Sequence, residues 1–284
     1  MIIDASEVRQ KNALSHIGMK VSDTIVTMFV VVFTMVPMVI ILLLAFGSNW
    51  STSFRWEFTL EWMTKIVVNY KSTFFYSIVI ATITMLLTLL FGTLAAYGII
   101  TKKIRRTGML LDAIIMLPLT ISHIVIGLAL ILAFNSPPIR LHGTIWIIII
   151  GHFIVAIPIA YRTISATLES IDLSLVEAAK GLGASEMTAI YRVIMPMALP
   201  GLIACSMFSF ISSIGNYSLT LMVAPERIKT LPLQLVTFIS SEVGAFNNFN
   251  LAAALSLFII LIIFVLDFAI RKITGASWQE KMSM

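Results

Sequence analysis

The side chains of this 284-residue chain that could do chemistry are few and scattered. There are four histidines, of which His123 and His152 lie inside long apolar stretches. Two histidines inside a membrane could form a proton-transfer or metal site. Neither has an acidic residue near it in the sequence, so a buried packing role is the favoured interpretation. The one cysteine, Cys205, cannot form a disulfide within the chain.

No catalytic or phosphate-binding pattern accompanies these residues. The sequence has no glycine-rich phosphate loop, no G-x-S-x-G turn and no His/Cys cluster at metal-ligand spacing. An enzyme needs a nucleophile, a base or metal ligands in a defined arrangement. We therefore predict that the chain is not an enzyme and that it holds no metal and no cofactor of its own.

The composition is that of an integral membrane protein. Hydrophobic residues make up 59% of the chain, charged residues make up 12%, and the mean hydropathy is +1.00. A soluble domain carries about twice that charged fraction, so an enzyme or binding module free in the cytosol is excluded. A membrane span needs about 20 mostly apolar residues. Six stretches qualify: 24–46, 73–100, 109–134, 143–161, 198–223 and 250–270.

The fold class predicted from these stretches is an all-α membrane protein with six transmembrane helices. Residues 1–23 and 271–284 form its terminal tails. Lys and Arg are concentrated in the two tails, in the segment 101–108 and in the segment 162–197, and the remaining loops carry fewer. Because positive charge is retained on the cytoplasmic side, we predict that both termini are cytoplasmic.

One inside loop, about 163–197, is much longer than the two to eight residues that usually join neighbouring helices. Ser174 followed by Glu177 is a capping-box pattern, which predicts the start of a short amphipathic helix. Its apolar stripe consists of Leu175, Ala178, Ala179 and Leu182. Gly181 and Gly183 can take a positive φ, which predicts its end.

A second short helix follows in the same loop. Ser185 can cap it, with Glu186 favourable in its first turn. Met187 begins a second apolar stripe, and Pro196 is expected to end the helix. The pair could rest on the membrane surface or dock in a groove of a separate cytoplasmic protein. A DNA-binding helix-turn-helix is disfavoured, since only Lys180 and Arg192 are basic there.

The loop resembles the cytoplasmic signature of bacterial binding-protein-dependent ABC importer permeases of type I. That signature is Glu-Ala-Ala, three residues, Gly, nine residues, Ile, any residue and Leu-Pro. With Val and Met in place of Ile and Leu, the matching residues here are Glu177, Ala178, Ala179, Gly183, Val193, Met195 and Pro196. The six-span layout extends the resemblance over nearly the whole chain.

The resemblance implies a MetI-like permease in a bacterial inner membrane, whose long loop is the coupling helix seated in a cleft of an ATP-hydrolysing partner. The residues that it assigns to this ATPase-coupling interface are Glu177, Ala178, Ala179, Gly181, Gly183, Met187 and Pro196. The implied partners are two ATP-binding subunits, a second and related permease, and an extracytoplasmic solute-binding protein. ATP and Mg belong to the partner ATPase, and no nucleic acid is expected.

Within that family the chain is similar to permeases of the spermidine/putrescine type. Two segments carry this similarity: LVEAAKGLGAS and KTLPLQLVTFISSEVGAFNNFNLAAALS. Those permeases tend to carry acidic residues near the outer part of the fifth span, where this chain has none. A zwitterionic or anionic solute such as a phosphonate is therefore at least as plausible as a polyamine. A secondary carrier that works without an ATPase is the alternative, since Pro118 and Pro158 could break helices.

Polar residues inside apolar spans are the candidates for a solute path, because such groups usually face the interior of a bundle. Hydrogen bonding between helices is an equal alternative for each of them. The candidates are Ser122, His123, Ser212, Ser213, Asn216 and Tyr217.

Overall fold

The computed structural model describes residues 5–48, 57–101, 105–172, 174–240 and 245–282. Within these ranges the chain is helical, and its β-structure is an isolated bridge between Gly47 and Phe58. The first six helices are α1 (Ala5–Phe46), α2 (Glu61–Asn69), α3 (Lys71–Thr101), α4 (Arg105–Met116), α5 (His123–Phe134) and α6 (Ile145–Glu169). The remaining six are α7 (Ser174–Gly181), α8 (Glu186–Ala189), α9 (Met195–Ile214), α10 (Ser218–Val223), α11 (Leu231–Ser240) and α12 (Ala245–Met282).

Five helical segments of the described chain are long and apolar enough to cross a membrane. They are Asp23–Phe46, Lys71–Ile99, Ile145–Glu169, Glu186–Ile214 and Phe249–Ile270. These segments coincide with five of the six predicted spans, although their bounds differ. Helices α1 and α12 also continue into the predicted terminal tails.

The third predicted span, 109–134, is not one straight helix. Gly108–Thr120 and His123–Phe134 meet at an angle of 106°, so they make a sixth span only if the bent pair is counted as one. A 3₁₀ turn containing Pro118 closes the first piece, and Ile121 after it is extended, with ψ of 134°. Proline lacks an amide hydrogen and clashes with the preceding turn, which explains a break here. Pro158, in contrast, lies inside the continuous helix α6.

The fifth predicted span, 198–223, differs at both ends. Its helix begins at Glu186, passes through a π-helical turn at Ile190–Ile194 and continues as α9 to Ile214. The prediction that Pro196 ends the loop helix is therefore wrong. Proline is tolerated in the first turn of a helical segment, and Pro196 stands there, directly after the π turn. The residues from 218 onward form the separate short helix α10.

The centre of the molecule is a three-helix packing of α3, α6 and α9. Helix α6 is the most buried of them, and its side chains contribute to two apolar clusters. Small residues such as Ala96, Ala160 and Cys205 bring the three helices close together. Buried apolar side chains of this kind supply packing contacts between helices in a membrane.

A second assembly joins α1, α2 and α12 at the opposite end of the bundle from α7 and α8. The Trp62 indole nitrogen donates a hydrogen bond to the Gly47 carbonyl oxygen over 2.9 Å. The Asn250 side-chain amide donates to the Leu44 carbonyl oxygen over 2.7 Å. These bonds satisfy carbonyl groups at the C-terminal end of α1, which would otherwise be unpaired. Most of the described apolar side chains of α1, in contrast, are exposed.

Candidate functional site

Helix α7 begins with an acceptor that the sequence analysis missed. The Asp172 carboxylate accepts a hydrogen bond from the Ser174 amide over 2.9 Å. The pKa of Asp172 lies below its ordinary value because first the amide and then the hydroxyl of Ser174 donate to the carboxylate. Ser174 is itself the first helical residue. The predicted Ser174/Glu177 capping box is therefore wrong, and the capping role falls to Asp172, whose side chain can bond the backbone two residues ahead.

Helix α7 ends in a Schellman motif. Gly183 has φ of +89°, and its amide donates to the Lys180 carbonyl over 2.9 Å. The Ala184 amide donates to the Ala179 carbonyl over 3.0 Å. Together these bonds satisfy two of the last carbonyls of the helix. The predicted positive φ is confirmed at Gly183, whereas Gly181 lies within the last turn of the helix.

Helix α8 starts as predicted. The Ser185 hydroxyl accepts a hydrogen bond from the Thr188 amide over 3.3 Å, so Ser185 is the N-cap. The Lys180 ammonium and the Glu186 carboxylate are 3.7 Å apart and connect the two helices across the turn. Both side chains are well exposed, so this pair contributes little to stability.

The loop presents large apolar side chains to the outside of the described chain. Leu182 is 91% exposed, and Met187 and Tyr191 are 64% and 65% exposed. Leu175 and Glu177 are exposed beside them. We call these five residues the loop surface. The loop surface thus consists of four large apolar or aromatic side chains and one carboxylate.

The opposite side of the loop packs on the bundle. Ala189 and Ile194 are buried, and Val176 and Ile190 pack against the cluster that includes Tyr161 and Ile164 of α6. Of the remaining residues predicted for the interface, Ala178 is exposed, while Ala179 and Pro196 are half-buried. One face of the loop therefore packs against the helix bundle, and the other face is exposed in the described part of the chain.

The loop is joined to the bundle by continuous helix. The Met195 amide donates to the Ile190 carbonyl across the π-helical turn, and α9 follows at once. A π turn within a helix frequently occurs at a functional site. Helix α8 therefore runs into the fifth membrane segment with no loop between them.

Four of the six predicted path residues lie together at the end of α9. Ser213 and Asn216 are buried, and Ser212 and Tyr217 are half-buried. The helical course stops here, and α10 resumes at Ser218. We call residues 215–217 the α9–α10 break.

Ser122 and His123, the other two predicted path residues, are exposed at the bend between α4 and α5. Helix α5, which begins at His123, packs against α10. The structure thus places this pair on a helix that contacts α10, but it gives no direct contact between the pair and the α9–α10 break.

His152 and Thr220 belong to this polar region, although the sequence analysis did not assign them to it. His152 lies on α6, is 2% exposed, and both of its ring nitrogens have hydrogen-bond partners. Its partner Ser213 is 61 residues away in the chain. A contact between residues so far apart leaves no periodic pattern in a single sequence. Asn216 and Thr220, in contrast, are four residues apart, which is the spacing of neighbours on one helix face.

Comparison with protein families gives the class of transport protein. Residues 88–274, well over half of the chain, match the family described as "Binding-protein-dependent transport system inner membrane component". The chain belongs to this family. The resemblance found at the loop is thereby confirmed, and the chain is an inner-membrane permease with several membrane-spanning helices.

Individual family members are similar over most of their length. PhnV of Salmonella typhimurium, assigned to 2-aminoethylphosphonate transport as a permease, is 24% identical over 93% of this chain and 97% of its own. PotC of Escherichia coli, a spermidine/putrescine transport system permease, is 26% identical over 81% of this chain and 86% of its own. Both relatives are described as permease proteins of transport systems.

Solved structures share the fold of this permease. A chain of the inward-facing MetNI methionine ABC transporter is 20% identical with a TM-score of 0.57, over 77% of this chain and 98% of that chain. A chain of a bacterial ABC transporter that imports alginate is 15% identical with a TM-score of 0.67, over 95% and 98%. The predicted MetI-like, all-helical fold is therefore confirmed.

Proposed function

We propose that this permease is the membrane subunit of an ATP-driven importer and that its loop surface binds an ATP-hydrolysing subunit. The observation that carries the proposal is the exposure of Leu182, Met187 and Tyr191 on a loop continuous with α9. Met187 and Tyr191 are four residues apart, the spacing of the apolar anchors by which a helix occupies a groove of a partner. The charge bias of the sequence supports a cytoplasmic position for this loop and for both termini, on the side of the membrane where ATP is available.

The expected assembly has two ATP-binding subunits, a second and related permease, and an external solute-binding protein. ATP and Mg are bound by the partner subunits. Closure of the ATPase pair would displace α7 and α8, and the continuous helix would carry that displacement into α9. ATP can drive this change only because it binds one state of the assembly more tightly than the other.

The solute that we propose is a small zwitterion with an amino group and an anionic group, such as an aminophosphonate. PhnV is assigned to 2-aminoethylphosphonate and PotC to spermidine and putrescine, so an amino group is common to the solutes of both. Neither α9, α10 nor the residues between them contain Asp or Glu. A polyamine is a multiply charged cation, and a carboxylate would stabilise it in a low-dielectric path. Because this region has no carboxylate, we favour a zwitterionic solute over a polyamine.

Affinity purification tests the assembly. The chain is tagged in its native host, extracted in mild detergent, and its partners are identified by mass spectrometry. We expect an ATPase subunit and a second multi-span permease. Recovery of the chain alone, under conditions that preserve another ABC importer of the same host, would contradict the proposal and favour the carrier alternative.

Transport by the purified assembly tests the solute. The complex is reconstituted in vesicles with its binding protein, and uptake of 2-aminoethylphosphonate and of spermidine is measured with and without ATP. We expect ATP-dependent uptake of the phosphonate and not of the polyamine. Uptake of spermidine alone would overturn the solute assignment while leaving the importer assignment intact.

A further inference from the structure

A buried histidine joins the two sides of the α9–α10 break. His152 Nδ1 lies 2.7 Å from the Ser213 hydroxyl, which is on α9 before the break. His152 Nε2 lies 2.9 Å from the Thr220 hydroxyl, which is on α10 after it. Ser213 is 4% exposed and Thr220 is 0% exposed, so water does not compete for these bonds. A hydrogen bond in such surroundings is strong, and an unpaired group there is unfavourable.

The direction of each hydrogen bond follows from the single hydroxyl hydrogen of Thr220. Thr220 Oγ1 donates that hydrogen to the Asn216 carbonyl over 2.7 Å. The same oxygen must therefore accept from His152, which places a hydrogen on Nε2. In the neutral ring Nδ1 is then an acceptor, and Ser213 donates to it. The bonds run in one direction from Ser213 through His152 and Thr220 to Asn216.

The same chain of bonds reaches the path residues. The Asn216 side-chain oxygen accepts from the Leu219 amide over 3.2 Å, so Asn216 also satisfies an amide in the first turn of α10. Tyr217 follows Asn216 directly and is half-buried. The position of both residues therefore depends on where Thr220 and Ser213 are held.

Helix α10 also packs closely on its apolar neighbours. A Cβ at Gly151, next to His152, would stand 2.6 Å from a methyl group of Leu219. A Cβ at Gly127 on α5 would stand 2.8 Å from the Met222 Cβ. Helix α10 is thus seated against two glycines, and His152 provides its polar attachment to α6 and α9.

We propose that His152 is the positioning residue of the solute path. By bridging Ser213 and Thr220 it fixes the geometry of the α9–α10 break, and with it the placement of Asn216 and Tyr217. The role of this region in transport rests on the proposed function. His152 itself is buried and acts through its two partners without contacting the solute.

The first test measures the solute imported per ATP hydrolysed by the reconstituted assembly. His152→Leu removes both hydrogen bonds, and His152→Gln can keep an N–H donor toward Thr220. We expect His152→Leu to lower the ratio about ten-fold, the change that matches loss of a buried hydrogen-bond partner. His152→Gln should retain most of the wild-type ratio.

The matched control is Thr84→Val, which removes another hydroxyl from the buried bundle. Thr84 is 0% exposed, and its hydroxyl has no partner in the described chain. A defect in folding or assembly would lower uptake and ATP hydrolysis together and leave their ratio unchanged. An unchanged ratio in His152→Leu would therefore overturn the positioning role.

The second test does not depend on transport. Cys205, the one native cysteine, is buried and is replaced by alanine, and Tyr217→Cys is labelled with a water-soluble maleimide. We expect His152→Leu to change the labelling rate several-fold relative to His152→Gln and Thr84→Val. Equal rates in all backgrounds would overturn the proposal, whereas a wild-type assembly without ATP-driven uptake would overturn the proposed function alone.

Discussion

Gly201 on α9 lies against Thr167 on α6 with no room for a side chain between them. A Cβ at residue 201 would stand 2.6 Å from the Cβ of Thr167, far inside normal van der Waals contact. Small residues at such crossings allow two membrane helices to approach closely. Because α9 is continuous with the loop, this contact sets where the fifth span crosses the most buried helix of the bundle.

We predict that Gly201→Ala destabilises the protein by about 1–3 kcal/mol, since an added methyl group forces the two helices apart. Thermal unfolding in detergent measures the effect. Gly98→Ala on α3 is the control, because a Cβ there meets no atom within 4 Å. Equal stability of the two variants would show that α6 and α9 can move apart at this contact without a loss of stability.

Two glycines of the loop should respond in opposite ways to the same substitution. A Cβ meets no atom within 4 Å at either position, but only Gly183 has a positive φ. Gly183→Ala should weaken the end of α7 by about 1–2 kcal/mol, because alanine is strained in the left-handed region. Gly181→Ala should stabilise the helix slightly. Hydrogen exchange of the α7 amides in the whole protein measures both, and equal exchange would refute the difference.

Leu182 should matter for binding and not for folding. Its side chain is 91% exposed, so Leu182→Asp leaves the described packing intact. We expect the affinity for the ATPase subunit to fall by about ten-fold or more, as for an apolar anchor at an interface. Lys180→Gln, which removes an exposed ion pair, should change it little. Co-purification yield, with membrane abundance measured in parallel, separates the two effects.

Charge at Glu177 provides a further test of coupling. The residue is exposed on α7, so its reversal should not prevent insertion into the membrane. Glu177→Arg is expected to abolish uptake, because a contact complementary to a carboxylate would be opposed by a cation at the same place. Glu177→Gln keeps the shape of the side chain and should retain part of the activity. Wild-type uptake in the arginine variant would exclude Glu177 from the coupling contact.

Continuous apolar runs made most of the membrane segments predictable from sequence. Such a run predicts a helix of sufficient length, but hydropathy carries no information about backbone direction. Hydropathy therefore predicts one span over 109–134, and Pro118, which the sequence offers as a possible helix break, is the local sign of the bend between Thr120 and His123. Pro196 was assigned the wrong role because the π turn before it has no local sequence signature.

In the candidate site, likewise, local contacts could be predicted from the sequence and long-range contacts could not. Ser185 and Gly183 act through neighbouring backbone, so their roles as caps could be predicted from local spacing. Asp172 was missed because the more familiar Ser174/Glu177 pattern lies beside it. His152 meets Ser213 and Thr220 only after three helices have packed, and no local rule anticipates that meeting.

The exposed loop surface also has a consequence for the lifetime of the chain in the cell. If the proposed ATPase subunit covers this surface, a copy without that subunit keeps Leu182, Met187 and Tyr191 exposed. Exposed apolar segments are bound by chaperones and proteases, which continuously remove unassembled or unfolded chains. Surplus copies would then be degraded, and the scarcer subunit would determine how many complete transporters a cell contains.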